Sequence, residues 1–355
     1  MIMMHSLKRQ TTGMKNKEYG SDFHYYPGEA TKIEHSFFNE DYLSLFLSGR
    51  VALYNLLSFG IQKYGWNKVG FPSYYCHEVV DFCITLPIEI LYYNHNPFNP
   101  IVFDWDDNEN SVFINVDFFG VSKLDTSFIE KSIVIEDVTH NLLEFKSSNA
   151  NYCFGSLRKQ LPVPVGGFCY DRNNNFSSNL NVNDFSEELA KQKLSAMQLK
   201  SSYLKGELAQ KEVFRKLFIE AENLFESSKT NSAIPVSVKN VFLQLPHNQL
   251  ISKTRSNIKL AKSLLELDDK VKMLISNQNT EMGLVLLCET PSIRDSLKSY
   301  LINNKIYPAI IWPNQKNEAD KYFESKILFV HVDFRYDTED IHFIVNKINN
   351  FIAHV

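Results

Sequence analysis

Cysteine is scarce in this sequence, and the few cysteines follow no pattern. There are five, and no two of them have the spacing of a zinc knuckle or of a Cys-x-x-Cys motif. They are Cys76, Cys83, Cys153, Cys169 and Cys288. An odd, scattered set argues against a disulfide-linked secreted fold and favours reduced thiols. Possible metal ligands at His140, His331 and Asp333 also lack a recognised spacing, so no metal site is predicted.

Long apolar runs and an excess of positive charge are missing too. No segment approaches the roughly 18 apolar residues that a membrane-spanning helix needs. Residues 1–17 are polar and basic without an apolar stretch, which argues against a secretory signal. The formal net charge is -4 at pH 7, so no basic field favours nucleic acid or an anionic membrane as a partner. These absences predict a cytoplasmic protein that acts on small molecules.

Several familiar site motifs are absent as well. The sequence has no GxGxxG after its first strand, no P-loop GxxxxGK motif, no HExxH and no GxSxG. Dinucleotide, P-loop, zinc-protease and serine-hydrolase sites of the usual kind are therefore not indicated.

The length and composition of the chain indicate an ordinary globular protein with room for two domains. It has 355 residues, of which 44% are hydrophobic and 22% charged. We predict an N-terminal arm over residues 1–40, a large domain over residues 41–235 and a small C-terminal domain over residues 236–355. The polar stretch Lys229–Pro235 is the predicted hinge between the two domains.

Short runs rich in Val, Ile, Phe and Tyr predict the strands of the large domain. They cover Val69–Tyr74, Ile88–Tyr93, Ser111–Phe118, Ile133–Asp137, Tyr152–Ser156 and Gly167–Tyr170. Several runs do not alternate with polar residues, which indicates burial on both faces, as in a mostly parallel sheet covered by helices. The sequence therefore predicts an α/β fold.

The rest of the chain reads as long helices followed by an α+β unit. Residues 184–228 are rich in Lys, Glu, Leu and Ala, and predict one long helix or two joined near Gly206. Helices are then predicted over residues 252–267, 292–303 and 338–352, and strands over residues 271–275, 283–287, 307–311 and 327–332.

Two side chains of the large domain stand where ligands bind in open α/β sheets. Asp137 and Lys159 each follow the C-terminal end of an apolar strand, and such ends form one edge of the sheet. Pyridoxal phosphate needs an amine to bind its aldehyde, a carboxylate to keep its ring nitrogen protonated, and donors for its phosphate. Lys159 and Asp137 can supply the first two, although Asp137 can also be read as a helix cap.

The phosphate donors are predicted at the turn Ser48-Gly49-Arg50. This turn lies between the apolar Leu45–Leu47 and a helical run, so the N-terminus of the helix presents free N–H groups there. Gly49 lets the backbone approach a ligand closely. Ser48 and Arg50 can equally be read as an ordinary helix start.

These segments together resemble the DegT/DnrJ/StrS-type aminotransferases, over about residues 43–352. The turn at Ser48 resembles the phosphate turn of the family, and Phe71-Pro72-Ser73-Tyr74 its Pro-Ser-aromatic segment. Glu136-Asp137-Val138-Thr139-His140 resembles its Glu-Asp-x-x-His/Gln motif. Ser156-Leu157-Arg158-Lys159, followed by Gly166-Gly167, resembles its lysine motif.

The resemblance implies a role for each matching residue. Lys159 would hold the cofactor, Asp137 would pair with its ring nitrogen, and His140 would contact its ring hydroxyl. Ser156 would contact the phosphate. Tyr74, Tyr75, Cys76 and His77 cluster where one of them can stack on the ring, with the two tyrosines the main candidates, and the aromatic residues there can equally be read as core residues.

The sequence also departs from the pattern of the family. Phe154 and Val165 replace a serine and an acidic residue that are usual in it, and a Tyr-Asn-x-Arg segment is missing. Trp312 and Arg335 lie in segments that resemble the C-terminal part of the family, and each is read either as a substrate contact or as a packing residue.

The resemblance implies the fold of aspartate aminotransferase, with a mostly parallel sheet in the large domain and a smaller C-terminal α+β domain. The implied function is pyridoxal-phosphate-dependent transfer of an amino group, from glutamate to a nucleotide-linked keto-sugar, for surface polysaccharide or related biosynthesis. A homodimer is also implied. Two alternatives stay open: another reaction or amino-acid substrate on the same scaffold, and a relative that binds the cofactor without catalysis.

Overall fold

The computed structural model describes residues 15–27, 42–98, 105–274 and 282–355. Most of the predicted arm, residues 1–14 and 28–40, lies outside the described residues, as does Ile275 at the end of a predicted strand. The helices are α1 (Gly49–Tyr64), α2 (His77–Cys83), α3 (Asp184–Lys205), α4 (Lys211–Ser227), α5 (Val236–Leu243), α6 (His247–Leu264), α7 (Pro291–Asn303), α8 (Glu318–Glu324) and α9 (Thr338–Ile352).

A seven-stranded sheet forms the centre of the larger part of the molecule. Its strands are β2 (Leu43–Phe46), β3 (Lys68–Pro72), β4 (Glu89–Tyr93), β5 (Ser111–Val116), β6 (Ile133–Asp137), β7 (Tyr152–Ser156) and β8 (Gly167–Asp171). Their order across the sheet is β2-β8-β7-β6-β5-β3-β4. The pairs among β3, β4, β5, β6 and β7 are parallel, whereas β8 is antiparallel to both of its neighbours. The predicted mostly parallel sheet is thus confirmed.

Burial explains why the apolar runs predicted this sheet well. Every residue of Ser111–Val116 is buried, as expected for a central strand with helices on both faces. The strands end within one or two residues of the predicted bounds. The predicted long helical region is also confirmed as two helices, because Gly206 ends α3 with a φ of 77°, a left-handed conformation that glycine adopts without strain.

A second, smaller sheet lies in the C-terminal part of the chain. It contains β9 (Val271–Met273), β10 (Leu284–Cys288) and β12 (Ile327–Val330), in the order β12-β10-β9 and antiparallel throughout. Its core is formed with residues of α6, α7 and α9.

One predicted strand of this region, over residues 307–311, is wrong. Only β11 (Ile306–Tyr307) is a strand, and it pairs in parallel with β1 (Tyr19–Gly20) of the N-terminal arm. Pro308 follows directly and has no N–H to donate to a ladder. At Trp312 the backbone turns to a φ of 51°, which ends the extended course. Within the ranges described above, no helix is both long and apolar enough to cross a lipid bilayer.

Candidate active site

The carboxyl ends of β6 and β7 bring the predicted lysine and aspartate to one cavity. The two strands are parallel neighbours, and Asp137 lies opposite Phe154. After Ser156 the chain turns into a short 3-10 helix, Leu157–Lys159. Asp137 and Lys159 both line a cavity of about 460 Å³, and the side chain of Lys159 is exposed to it. The convergence expected from the strand ends is therefore present.

The N-terminus of α1 forms another wall of this cavity. Ser48 caps the helix, because its hydroxyl accepts a hydrogen bond from the Val51 N–H at 3.3 Å. A Cβ on Gly49 would lie 3.1 Å from the Ser156 nitrogen, so the turn is packed tightly against the end of β7. The first N–H groups of a helix have no partner within it and are available to an anion. Ser48, Gly49, Arg50 and Ser156, the residues predicted to contact a phosphate, all line the cavity.

Asp137 is a buried carboxylate whose partners are all neutral. One oxygen accepts a hydrogen bond from the Tyr75 hydroxyl at 2.5 Å, and the other accepts one from the Thr139 N–H at 2.9 Å. Burial raises the pKa of Asp137, and these two bonds oppose the rise only in part. No ion pair to Asp137 is formed by the described residues. The site can therefore accept a cation next to this carboxylate.

His140 is held as a neutral ring with a defined tautomer. Its Nδ1 accepts a hydrogen bond from the Phe119 N–H at 3.2 Å, so the proton of the neutral ring is on Nε2. Burial, followed by the charge of Lys159, lowers the pKa of His140 to about 3. The indole of Trp312 packs beside it, with ring centroids 4.6 Å apart. His140 lines the cavity as a hydrogen-bond donor.

Lys159 has a lowered pKa. The neighbouring Arg158 guanidinium is the main cause, and burial adds to it. The carboxylates of Glu222 and Glu78 act in the opposite direction but do not outweigh them. A lower pKa increases the fraction of free amine near neutral pH, which is the form that attacks an aldehyde or accepts a proton.

The two tyrosines predicted to stack on a ring do not line the cavity. Tyr74 and Tyr75 are both fully buried behind it, and the Tyr74 hydroxyl donates to the Ile311 carbonyl at 3.3 Å. Cys76, the next residue, faces the cavity instead. The chain leaves β3 after Pro72, so the direction of the following side chains is no longer set by strand alternation.

Residues of α3 and α4 that the sequence analysis did not single out also line the cavity. Lys193 comes from α3, and Glu222 and Phe225 from α4. Glu222 accepts hydrogen bonds from the same Arg158 nitrogen at 2.8 and 3.1 Å, and Lys193 donates to its carboxylate. The spacing of Glu222 and Phe225 places them on one face of the helix, but nothing local indicates that this face meets a site.

Arg335 serves the packing of the chain and does not face the cavity. Its guanidinium donates to both carboxylate oxygens of Asp333, at 2.8 and 2.7 Å, and to the carbonyls of Gly20, Ser21 and Asp22 at 3.1–3.3 Å. The arm thus fixed contributes Ser21, Asp22 and Phe23 to the cavity wall. Of the two C-terminal candidates, only Trp312 lines the cavity.

Comparisons with known proteins identify the fold. No protein-family model matches the sequence, and no curated protein matches it. Among solved structures, the Helicobacter pylori aminotransferase involved in the biosynthesis of pseudoaminic acid has a TM-score of 0.59 at 11% identity, over 96% of this chain and 100% of that one. A putative sugar aminotransferase from Streptococcus pneumoniae, in its PLP form, has a TM-score of 0.57 at 11% identity, over 99% and 96%. A DegT DnrJ EryC1 StrS aminotransferase from Brucella abortus has a TM-score of 0.55 at 16% identity, over 88% and 86%.

These similarities cover nearly the whole chain, so the predicted fold is confirmed. The molecule has the fold of PLP-dependent aminotransferases, including those of the type that the sequence resembles. At identities of 11–16% they establish the fold alone.

Proposed function

We propose that this chain is a pyridoxal-phosphate-dependent aminotransferase whose cofactor is bound by Lys159. The observation that carries the proposal is the convergence of the Lys159 amine, the Asp137 carboxylate and the N-terminus of α1 on one cavity. These groups match the three requirements of the cofactor: a primary amine, an anionic partner for the ring nitrogen, and donors for the phosphate.

Unsatisfied groups in the cavity fit the charges of this cofactor. Asp137 is buried with neutral partners only, and a protonated ring nitrogen would give it the cation that the described residues do not. Arg50 is buried, and its Nε has no hydrogen-bond partner in the part of the chain that the structure describes. A phosphate beside the Ser48-Gly49 turn would place an anion near that guanidinium.

The bound cofactor would supply an electron sink for the bonds at the amine-bearing carbon of the substrate. The residues of the chain have separate tasks around it. When ionised, Asp137 can hold a proton on the ring nitrogen, and the hydrogen bonds from Tyr75 and Thr139 favour that charged form. The Nε2–H of His140 would donate to the ring hydroxyl of the bound cofactor, because Nδ1 already accepts from the Phe119 N–H. Lys159, with its lowered pKa, accepts a proton at Nζ and returns it, as a general base and then a general acid.

The substrates proposed are glutamate as amino donor and a nucleotide-linked keto-sugar as acceptor. The sugar-related names of the structural neighbours support a sugar acceptor, whereas glutamate follows from the family resemblance alone. A cytoplasmic homodimer is part of the same proposal. Val213 and Leu224, two exposed apolar side chains about three turns apart on one face of α4, offer a surface for such contact.

The proposal is tested by locating the covalently bound cofactor. The protein is loaded with pyridoxal phosphate, reduced with borohydride, digested and analysed by peptide mass spectrometry. The label is expected on Lys159 and is lost in Lys159→Met. Lys200→Met is the control, because Lys200 is a buried lysine that lies outside this cavity. A label on another lysine, or none, refutes the assignment.

Turnover is tested separately. Addition of glutamate should remove the absorbance of the lysine-bound cofactor and release 2-oxoglutarate, and a panel of nucleotide keto-sugars should restore it. Cofactor bound at Lys159 without reaction with any amino donor would indicate a binding protein instead of a transaminase.

A further inference from the structure

Three cations surround the ring of Phe225 at the wall of the cavity. The Cζ of Arg50 lies 4.1 Å from the ring centroid, the Cζ of Arg158 4.8 Å and the Nζ of Lys193 4.8 Å. Each position is favourable for a cation over an aromatic face. The ring therefore gathers side chains from α1, the lysine turn and α3 into one cluster, which we call the Phe225 cluster.

The Phe225 cluster holds more positive than negative charge. Glu222 is the carboxylate ion-paired within it, and it contacts both Arg158 and Lys193. Arg50 donates to the backbone carbonyls of Phe225 and Ser228, and its buried Nε has no partner among the described residues. Within the cluster three cations face one carboxylate, while Glu78 and Asp22, which also line the cavity, act on Arg50 and Lys193 from outside it.

The Phe225 cluster adjoins the helix N-terminus that faces the cavity. Arg50 follows Gly49 directly in the chain, and Gly49 packs against Ser156, two residues before Arg158. Lys193 reaches this place from α3, and its side chain is only 4% exposed. All three cations line the cavity that holds Lys159.

We propose that Arg50, Arg158 and Lys193 form a phosphate-binding subsite for the cofactor, and that Lys193 gives the site its preference for the phosphorylated form over pyridoxal. This inference rests on the proposed function. The subsite is completed by the α3–α4 pair of the same chain, so the basic groups that bind the phosphate come from one subunit.

The state of Lys193 agrees with such a role. Burial, and then the charge of Arg158, lower its pKa to about 8, and Glu222 opposes this only in part. A bound phosphate would bring further negative charge to Lys193, which otherwise shares the Glu222 carboxylate with Arg158. Charge-assisted bonds from Arg and Lys are the usual means of binding phosphate.

The test compares the affinities of pyridoxal phosphate and pyridoxal. Both aldehydes can attach to Lys159, and their affinities are measured from the absorbance of the attached form. Lys193→Met keeps the apolar stem and removes the charge. The ratio of the two affinities should fall at least about 10-fold, which corresponds to about 1.4 kcal/mol, while the affinity for pyridoxal stays unchanged. Lys193→Arg should restore most of the ratio.

Lys200→Met serves as the control, since Lys200 is another buried lysine of α3 that donates to the Asp22 carbonyl instead of facing the cavity. It should leave the ratio unchanged. An unchanged ratio in Lys193→Met, or an equal loss of both affinities, overturns the inference. So does a loss of uridine diphosphate binding in Lys193→Met with the ratio preserved, because the cations would then serve a substrate.

A second measurement does not depend on attachment to Lys159. Inorganic phosphate should raise the urea midpoint of the cofactor-free protein, and Lys193→Met should abolish the effect. If neither aldehyde attaches to the unmodified protein, the proposed function fails, and the subsite as a cofactor site fails with it. Phosphate protection would then show only whether the cluster binds an anion.

Discussion

Removing the hydroxyl of Tyr75 tests the account of Asp137 most directly. In Tyr75→Phe, Asp137 loses the donor that lies 2.5 Å from one of its oxygens. A hydrogen bond to a charged group contributes about 1.5–3 kcal/mol. Tyr75 is fully buried and Asp137 is only 4% exposed, so water cannot replace the lost donor. We expect the free energy of unfolding to fall by about 2–3 kcal/mol at pH 7, the upper part of that range.

Tyr74→Phe is the matched control for this change. Tyr74 is equally buried, but its hydroxyl donates to a neutral carbonyl, that of Ile311. Its loss should cost about 0.5–1.5 kcal/mol, as for an ordinary hydrogen bond. Both variants are unfolded with urea in their cofactor-free form and followed by tryptophan fluorescence. If Tyr75→Phe costs no more than Tyr74→Phe, the hydroxyl does not support a charged carboxylate and the reasoning is refuted.

The pH dependence gives an independent check of sign. Burial raises the folded pKa of Asp137 above the ordinary 3.8, so the folded protein loses stability as the pH rises from 3.8 to the folded pKa, and the loss is complete above it. Without the Tyr75 hydroxyl that pKa rises further and the penalty at pH 7 grows. Below 3.8 the carboxyl is protonated in both the folded and the unfolded chain. The difference in free energy of unfolding between Tyr75→Phe and the unmodified protein should therefore become smaller as the pH is lowered.

Two further predictions concern the walls of the cavity. Gly167→Ala would place a Cβ 2.1 Å from the Ser48 backbone carbon, so the Ser48-Gly49-Arg50 turn must shift. We expect the free energy of unfolding to fall by about 2–3 kcal/mol and cofactor binding to weaken. Gly65→Ala is the control, because a Cβ there meets no atom within 4 Å, although the backbone φ is 72°. It should lower the free energy of unfolding by about 1 kcal/mol and leave cofactor affinity unchanged. Equal effects of the two substitutions on cofactor affinity would contradict the argument. Burial raises the pKa of Glu222, but Arg158 and Lys193 outweigh it and lower that pKa from 4.5 to about 2. The stability that ionised Glu222 contributes to the folded protein is present above pH 4.5 and is lost as the pH falls towards 2. The side chain of Glu222 is 35% exposed, so we expect its contribution to the free energy of unfolding to be only about 1–2 kcal/mol after solvent screening. Glu222→Gln should therefore destabilise the protein at pH 7 but hardly at pH 2.

The fold could be predicted because burial leaves a direct mark on the sequence. A strand such as Ser111–Val116 is covered on both faces and therefore reads as an unbroken apolar run. The failure over residues 307–311 has a local cause, since Pro308 removes a ladder donor. The partner strand of β11 could not be predicted. That strand, β1, lies almost 300 residues away in the sequence, and only two residues of each strand are paired.

The site was predictable only where it follows from the edge of the sheet. Asp137 and Lys159 come after neighbouring parallel strands, so their meeting is a consequence of topology. Lys193 and Phe225 lie on helices, where side chains of the same kind cover ordinary surface or core. Their approach to the cavity depends on how α3 and α4 dock, and no local pattern encodes that docking. Their roles, like those of the predicted residues, stay predictions until the binding experiments are done.

The pairing of the arm with the C-terminal part has a consequence for the order of assembly during synthesis. The Tyr19 hydroxyl bonds to Asp340, 321 residues further along the chain, and Arg335 holds the carbonyl of Ser21. At roughly 5–20 residues per second, a ribosome adds Asp340 about 15–60 s after Tyr19. The cavity wall formed by Ser21–Phe23 therefore cannot form before α9 has been synthesised. Residues that are translated early are thus among the last to reach their native positions.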